Sequence, residues 1–205
     1  HDNGEEDEGI PIDTVVVVLL DRGTRWIDVY PEGSKSTEHT VEAFQHIAGA
    51  RDIATSFYCD NAPELKAAAR QCAWRISTAT TGQPQTNGVA ARSVRTVKEG
   101  GACSRVQSGY QPRYWNRGGE HFCFSKNTAM VDGDSCYNRR HGQKKGVTSK
   151  DYRSRLVALV DFMPQDDMKI ESCGSKTIQG LFLGYHVQPG GSGTGTTLSP
   201  ITNVL

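Results

Sequence analysis

The chain has 205 residues, a formal net charge of zero, 36% hydrophobic residues and a mean hydropathy of -0.53. That length suits one domain of ordinary size, or one domain with a small appendage. The longest apolar run, Val15 to Leu20, is far too short to cross a bilayer, and no signal-peptide pattern opens the sequence, so neither a membrane span nor a secretory leader is expected. The sequence starts inside an acidic stretch without an initiator Met, which indicates a fragment or an internal segment of a longer product.

The zero net charge hides an uneven distribution. Residues 92–155 carry fourteen Lys and Arg against five Asp and Glu, whereas the rest of the chain carries nine against eighteen. A basic segment within a neutral chain favours a surface for a polyanion such as nucleic acid. A solvated basic face without a partner is the alternative that charge alone leaves open.

The six cysteines are scattered, with neither a Cys-x-x-Cys pair nor the close His pairing of a zinc knuckle. This usage is typical of reduced thiols in an intracellular protein. The six are Cys59, Cys72, Cys103, Cys123, Cys136 and Cys173.

Strands and helices alternate over the first half of the chain, which predicts an α/β layered domain. After an acidic loop over residues 1–13, the β-branched run Thr14–Leu20 and the alternating Trp26–Tyr30, stopped by Pro31, predict two strands. The elements that follow are a helix over 36–48 capped by Ser36 or Thr37, a strand over 53–59, a helix over 63–74, a short extended piece over 75–78, a polar loop over 80–87 and a helix over 88–106.

The second half gives weaker patterns. Aromatic residues between Tyr114 and Phe124 predict one more packed helix, and residues 131–155 read as a basic, turn-rich linker. Leu156–Phe162 and Thr177–His186 predict strands, whereas Pro189–Thr197 is rich in Gly, Ser and Thr and reads as mobile. We therefore expect a core over 1–130, a linker over 131–155 and a small β module over 156–205. The three tryptophans read as core residues.

Two patches carry candidate chemistry. Asp60 follows the predicted strand 53–59, and open α/β sheets bind ligands at such strand ends, although Asp-Asn after a strand is also a common turn. Arg92, Arg95 and Lys98 recur along one side of the predicted helix 88–106, where they can contact phosphates or form an ordinary solvated face.

Together these patches resemble the integrase core of copia-type LTR retrotransposons, as found in retrovirus-related Pol polyproteins. The resemblance rests on Asp60-Asn-Ala-Pro-Glu-Leu and on Pro84-Gln-Thr-Asn-Gly-Val-Ala, which ends thirty residues after Asp60. The strand run from Val15 to Pro31, the stretch Tyr114-Trp115 through His121-Phe-Cys-Phe to Asn127, and Gly180-Leu-Phe-Leu-Gly-Tyr-His extend it to nearly all of residues 14–191.

The resemblance implies an RNase H-like mixed sheet flanked by helices, with a small C-terminal β module. Such integrases hold Mg²⁺ or Mn²⁺ on three carboxylates and join element DNA to target DNA by phosphoryl transfer. It further implies DNA as the partner, homo-oligomers, neither a membrane nor a small-molecule substrate, and an intracellular, nuclear location for an expressed chain. Asp60 is then a catalytic and metal-binding residue; Asn61, Gln85, Asn87, Arg92, Arg95 and Lys98 contact nucleic acid.

The sequence departs from this pattern at the metal ligands. Ala91 occupies the position of the third carboxylate, and a methyl group cannot bind a metal. Glu99 lies eight residues on, about 12 Å further along a helix. The first carboxylate falls near or before residue 1, with Asp2 as a weak candidate; Asp21 ends a strand but matches a noncatalytic position. We therefore expect strand transfer to be lost.

Paired glycines at 100–101 and 118–119 should weaken the helices that contain them, at about 1 kcal/mol per glycine relative to Ala, which is typical of a decaying copy. Three hypotheses follow: a degenerate integrase core that retains its fold, a noncatalytic nucleic-acid-binding module, and an active enzyme with a site rebuilt from Asp2 or Asp21 with Glu99. An unrelated domain of the same fold class is the plainest alternative.

Overall fold

The computed structural model describes residues 15–49, 53–78, 88–142, 156–163 and 176–200. Its elements in chain order are β1 Val15–Leu20, β2 Ile27–Glu32, α1 Thr37–Ala48, β3 Phe57–Cys59, α2 Pro63–Gln71, β4 Ile76–Thr78, α3 Gly88–Ser108, a short 3₁₀ helix Pro112–Tyr114, α4 Trp115–Thr128, α5 Cys136–His141, β5 Leu159–Phe162, β6 Ile178–Val187 and β7 Gly193–Pro200. No helix within those ranges is long and apolar enough to cross a membrane.

The antiparallel pair β1–β2 lies between two layers of helices. Successive side chains of a strand point to opposite faces. Val17 accordingly packs with Phe44 of α1 and Phe57 of β3 on one face. Val16 and Val18 contact the cluster formed with α3 and α4 on the other face. The valine run of β1 is therefore the centre of a three-layer α/β arrangement.

The described strands form three separate ladders. β1 pairs with β2, β3 pairs in parallel with β4, and β5, β6 and β7 form an antiparallel sheet. The single mixed sheet expected from the sequence stays a prediction, because the first two ladders are not hydrogen-bonded to each other over these residues. Proline does not stop β2, which runs through Pro31 to Glu32. A residue without an N–H is tolerated on a strand that, among the described residues, pairs on one side only.

Helix α1 begins as its sequence predicts. The Ser36 hydroxyl accepts a hydrogen bond from the His39 amide, and the chain leaves the helix at Gly49. Phe44 of α1 stacks on Trp74 with ring centroids 4.7 Å apart, and Trp74 follows α2. This aromatic contact ties both helices to β3.

Helices α3 and α4 cross at the four glycines. A Cβ on Gly118 would lie 2.6 Å from the Gly101 carbonyl oxygen, a Cβ on Gly101 would lie 3.0 Å from Gly119 Cα, and a Cβ on Gly100 would overlap the Phe122 ring. Helix α3 runs unbroken through the first glycine pair. Gly101 and Gly118 therefore have a packing reason, because they let the two backbones touch, whereas the expectation that the glycines mark a decaying copy stays a prediction.

The C-terminal sheet packs against α4. Phe124 lies 4.6 Å from the Tyr185 ring of β6, and Trp26 is buried in the same cluster. The turn between β6 and β7 docks on α1, since the Gly190 amide donates to the His46 carbonyl over 2.8 Å. The small β unit expected from the sequence is thus a three-stranded sheet in contact with the α/β layers.

One arginine holds several of these pieces together. Arg140 of α5 donates to the carbonyl oxygens of Gly190, Ile47 and Ala48 over 2.9–3.0 Å. It also lies 3.7 Å from the Asp21 carboxylate and over the Trp26 ring. This arginine clamp therefore joins the turn after β1, the end of α1 and the β6–β7 turn.

Several predicted boundaries differ from the observed ones. β3 begins at 57 rather than 53, α2 ends at 71 rather than 74, and α3 extends to 108. A helix, α5, lies where turns were expected, and β7 occupies most of the tail read as mobile, because it pairs with β6. The predicted loops over 1–13 and 80–87 lie outside the described residues.

Candidate functional site

Asp60 directly follows β3 and precedes α2. One of its carboxylate oxygens accepts a hydrogen bond from the Ala62 amide over 3.1 Å, so the residue closes the turn that starts the helix. The side chain is exposed. Its second oxygen has no partner among the described residues, which leaves it available to a cation or to water.

The first turns of α3 present the predicted cations to solvent. Arg92, Arg95 and Lys98 are all exposed, and none of them forms an ion pair within the described part of the chain. Ser93 and Val97 are buried on the opposite side of the helix. The basic stripe is therefore set by which face of α3 the sheet covers.

The described residues do not fit a two-metal centre. They contain no group of three or more His, Cys, Asp or Glu side chains that could hold a metal ion. Ala91 is exposed on α3, and its methyl group offers no ligand. Asp60 is thus the one member of the expected carboxylate set at its matched position in these ranges. That metal binding is impaired stays a prediction, because the position of the first carboxylate lies outside the described residues.

Asp21 cannot easily be recruited as a replacement ligand. Its carboxylate accepts hydrogen bonds from the Gly23 amide over 2.8 Å and the Thr24 hydroxyl over 2.6 Å, and it faces Arg140. Burial raises the pKa of Asp21, but these hydrogen bonds and the guanidinium outweigh it and leave the pKa below its ordinary value. The residue is committed to the turn after β1.

Glu99, the other proposed substitute, is exposed on α3 two turns beyond Ala91. Asn61 is exposed beside Asp60. Gln85 and Asn87, which were expected to contact nucleic acid, lie outside the described residues, as does Asp2. The candidate site consequently consists of Asp60 with Asn61 at the end of β3 and the cations of α3.

A buried carboxyl lies away from this site and was not foreseen. The pKa of Asp28 is raised from 3.8 to about 6, chiefly by burial and in part by the charge of Glu120, while a hydrogen bond from the Val29 amide and the charge of Arg140 act in the opposite direction. An acid within a β-strand between apolar neighbours was the available signal. Asp28 has no place in the proposed chemistry, but its raised pKa leads us to expect that the stability of the fold depends on pH.

Sequence reasoning also missed an open cleft between the β1–β2 pair and helices α3 and α4. Its walls are Val16 and Val18 of β1 with Val94, Val97 and Trp115 of the helices. The alternation of β1 showed that two valines face the helices, but not that the helices leave them uncovered. We call this feature the α3–α4 cleft.

No family model matches the chain, and no curated protein matches it. A chain in the cryo-EM structure of the simian T-cell lymphotropic virus intasome in complex with PP2A regulatory subunit B56 gamma is similar at a TM-score of 0.50 and 13% identity, over 90% of this chain and 69% of that one. The catalytic core domain of BIV integrase gives a TM-score of 0.44 and 14% identity, over 60% and 82%. At these identities the first likeness concerns the fold alone: the chain has an integrase-like α/β fold.

Proposed function

We propose that the chain is a catalytically silent integrase core of the copia type, part of a retroelement polyprotein, which binds DNA without joining it to a target. The observation that carries this proposal is Ala91: an exposed methyl group stands on α3 where the resemblance requires a metal-binding carboxylate. The integrase-like fold and the Pro84-Gln-Thr-Asn-Gly-Val-Ala motif support the kinship.

Loss of chemistry follows from the ligand set. In the family two divalent metals activate the attacking oxygen and stabilise the leaving one, and three carboxylates share the work of holding them. Asp60 alone can attract a hydrated cation but cannot fix two metals in a defined geometry. The remaining residues of the site are amide and cationic side chains, which do not ligate Mg²⁺ as carboxylates do.

Retained DNA binding follows from the exposed stripe on α3. Arg92, Arg95 and Lys98 rise along one side of the helix over about 9 Å. With no acidic partner among the described residues, their charge remains available to DNA phosphates. Each phosphate that such a side chain neutralises releases counterions from the DNA. We expect non-specific, salt-sensitive affinity rather than recognition of a particular sequence, because phosphate contacts carry no base information.

A salt series on duplex DNA tests this function. With three phosphate contacts, log Kd should change with log salt with a slope of about 2.7, so affinity falls about fortyfold between 50 and 200 mM salt. Arg95→Gln should lower that slope by about 0.9. The matched control is Arg70→Gln, an exposed cation on α2 that should leave the slope unchanged. A salt-independent affinity, or equal effects of both variants, would contradict the proposed surface.

A second candidate is a noncatalytic nucleic-acid-binding module that never acted on element ends. The unpaired α3 cations favour it as much as they favour a silent integrase. The two differ in partners: for a chain of integrase descent we propose multimers on DNA ends and a nuclear location. Preference for end-containing DNA over a closed circle of the same sequence would support integrase descent, and equal affinity would support the module.

A further inference from the structure

The α3–α4 cleft is an open cleft with a volume of about 590 Å³. That volume lies within the range of small-molecule sites, about 300–1,000 Å³. The sheet side is made by Val16, Val18 and Val29, and the helix side by Val94, Val97 and Trp115. Within the described residues no carboxylate lines it.

The described residues leave the walls of this cleft partly uncovered. Val17 points to the α1 side of β1 and is only 9% exposed, whereas Val16 and Val18 on the α3 side are half-buried. Val94 and Trp115 are half-buried as well. Burying apolar surface stabilises by about 25 cal/mol per Å², so an apolar body of matching shape would gain free energy by entering.

Two cations border the same space. Lys98 and Arg105 both line the cleft, seven residues apart on α3 and so about 10 Å apart along the helix axis. Arg105 is half-buried and donates to the Tyr110 carbonyl over 3.0 Å. Lys98 has no ion-pair partner among the described residues. An apolar space with cations at its edge and no acid is complementary to a molecule with an apolar body and a negative end.

We propose that the α3–α4 cleft binds an amphiphilic monocarboxylate, with its aliphatic body between the β1–β2 pair and α3 and its carboxylate on Lys98. A charge-assisted hydrogen bond from the ammonium fixes the orientation, because such bonds are about twice as strong as neutral ones. The proposal is for binding alone: the described lining is made of apolar side chains with Lys98, Arg105 and Asn116 at its edge.

Binding of this ligand would compete with DNA for one side chain. Lys98 belongs to the basic stripe, so a carboxylate held on it removes one phosphate contact and reduces the slope of the salt series. That consequence rests on the proposed function. Binding itself does not, and it is measured without DNA.

The test is a calorimetric titration of the full chain with decanoate, beside decan-1-ol as a neutral molecule with the same body. We expect saturable decanoate binding, weaker by about tenfold or more for the alcohol and for Lys98→Gln, and unchanged for Arg95→Gln, which does not line the cleft. Trp115 fluorescence should change with the same midpoint, while Trp26 and Trp74 are buried elsewhere. Absent binding, or equal binding of the alcohol, overturns the proposal.

A cleft-filling variant separates this site from non-specific adsorption. Ala102 is exposed and lines the cleft, so Ala102→Phe should block decanoate without disturbing the core; Gln107→Phe, exposed on the same helix but outside the cleft, should not. Equal binding by both variants would contradict the site. Sedimentation completes the test: a dimer that decanoate dissociates would assign the cleft to a second copy of this chain and overturn the small-molecule proposal.

Discussion

The α3–α4 crossing and the first turns of α3 both carry small residues that the sequence made conspicuous: glycines that should weaken their helices, and Ala91 where a carboxylate was expected. Only the crossing has a packing reason for its small residues. At the crossing, Gly118 meets the Gly101 carbonyl so closely that any side chain would collide with backbone. At the first turns, Ala91 is exposed and a longer side chain would meet solvent. The comparison teaches that scaffold and chemistry have separate requirements, and that this chain meets those of the scaffold.

The largest expected effect on stability comes from a substitution that disrupts the α3–α4 crossing. Gly118→Ala should destabilise the protein by about 3 kcal/mol, because overpacking against backbone cannot be relieved by a rotamer change. If the glycine were mere drift, Ala would instead stabilise the helix by about 1 kcal/mol. Chemical denaturation measures the sign. The matched control is Gly119→Ala, whose Cβ would meet Val29 at an ordinary 3.7 Å and which should be neutral or stabilising.

A smaller loss is expected at the arginine clamp. Arg140→Ala removes a charged donor from three partly buried carbonyls and should cost about 2 kcal/mol, with a lower thermal midpoint. Arg139→Ala on the same helix removes only an exposed ion pair with Asp134 and should cost about 0.5 kcal/mol or less. Similar midpoints for the two variants would mean that the clamp does not hold α1 and the β6–β7 turn together.

The pH dependence of the free energy of unfolding gives a further test of the scaffold. Because the pKa of Asp28 is raised to about 6 in the fold, the folded state holds the proton more tightly than the unfolded chain. The stability linked to Asp28 is therefore full below the unfolded pKa near 3.8 and is lost as pH rises through about 6. Between pH 4.5 and 7 we expect a loss of about 1–2 kcal/mol, which Asp28→Asn abolishes. A loss of the same size in Asp28→Asn would assign it to other groups.

The smallest expected effect on stability is at the first turns of α3, the second of the two regions compared. Ala91→Glu should change the free energy of unfolding by about 0.5 kcal/mol or less, because the position is exposed and both residues favour helices. A large destabilisation would show that alanine is required by packing. In that case Ala91 would be explained by packing, as the glycines of the crossing are, and not by the loss of a metal-binding carboxylate.

Local patterns predicted much of the fold because the physics there is local. The cap of α1 follows from the hydroxyl of Ser36, which can accept a backbone hydrogen bond. The two faces of β1 follow from the alternation of side chains along a strand, and the cations of α3 share one side because of the helical repeat. The expected position of Asp60 after a buried strand is confirmed for the same reason. A local pattern could not predict whether Asp60 lies close to other carboxylates, because those residues are distant in the sequence.

Long-range contacts account for the misses. The glycine pairs of α3 and α4 lie some eighteen residues apart and make sense only when the helices touch. Thr- and Gly-rich β7 reads as a loop by composition, but pairing with β6 overrides its weak propensity. Arg140 looked like one of many basic residues, because its carbonyl partners are about fifty and ninety positions away. The α3–α4 cleft is likewise a property of packing, not of sequence pattern.

The most direct measurement is strand transfer of element-end DNA into plasmid, with Mg²⁺ or Mn²⁺, by the unmodified chain at a salt concentration where it binds DNA. We expect bound DNA and no joined product, and none after Asp60→Asn. Joined product that depends on the metal and disappears in Asp60→Asn would show that the chain assembles a working site without a carboxylate at Ala91, and would contradict the proposal of a silent integrase core.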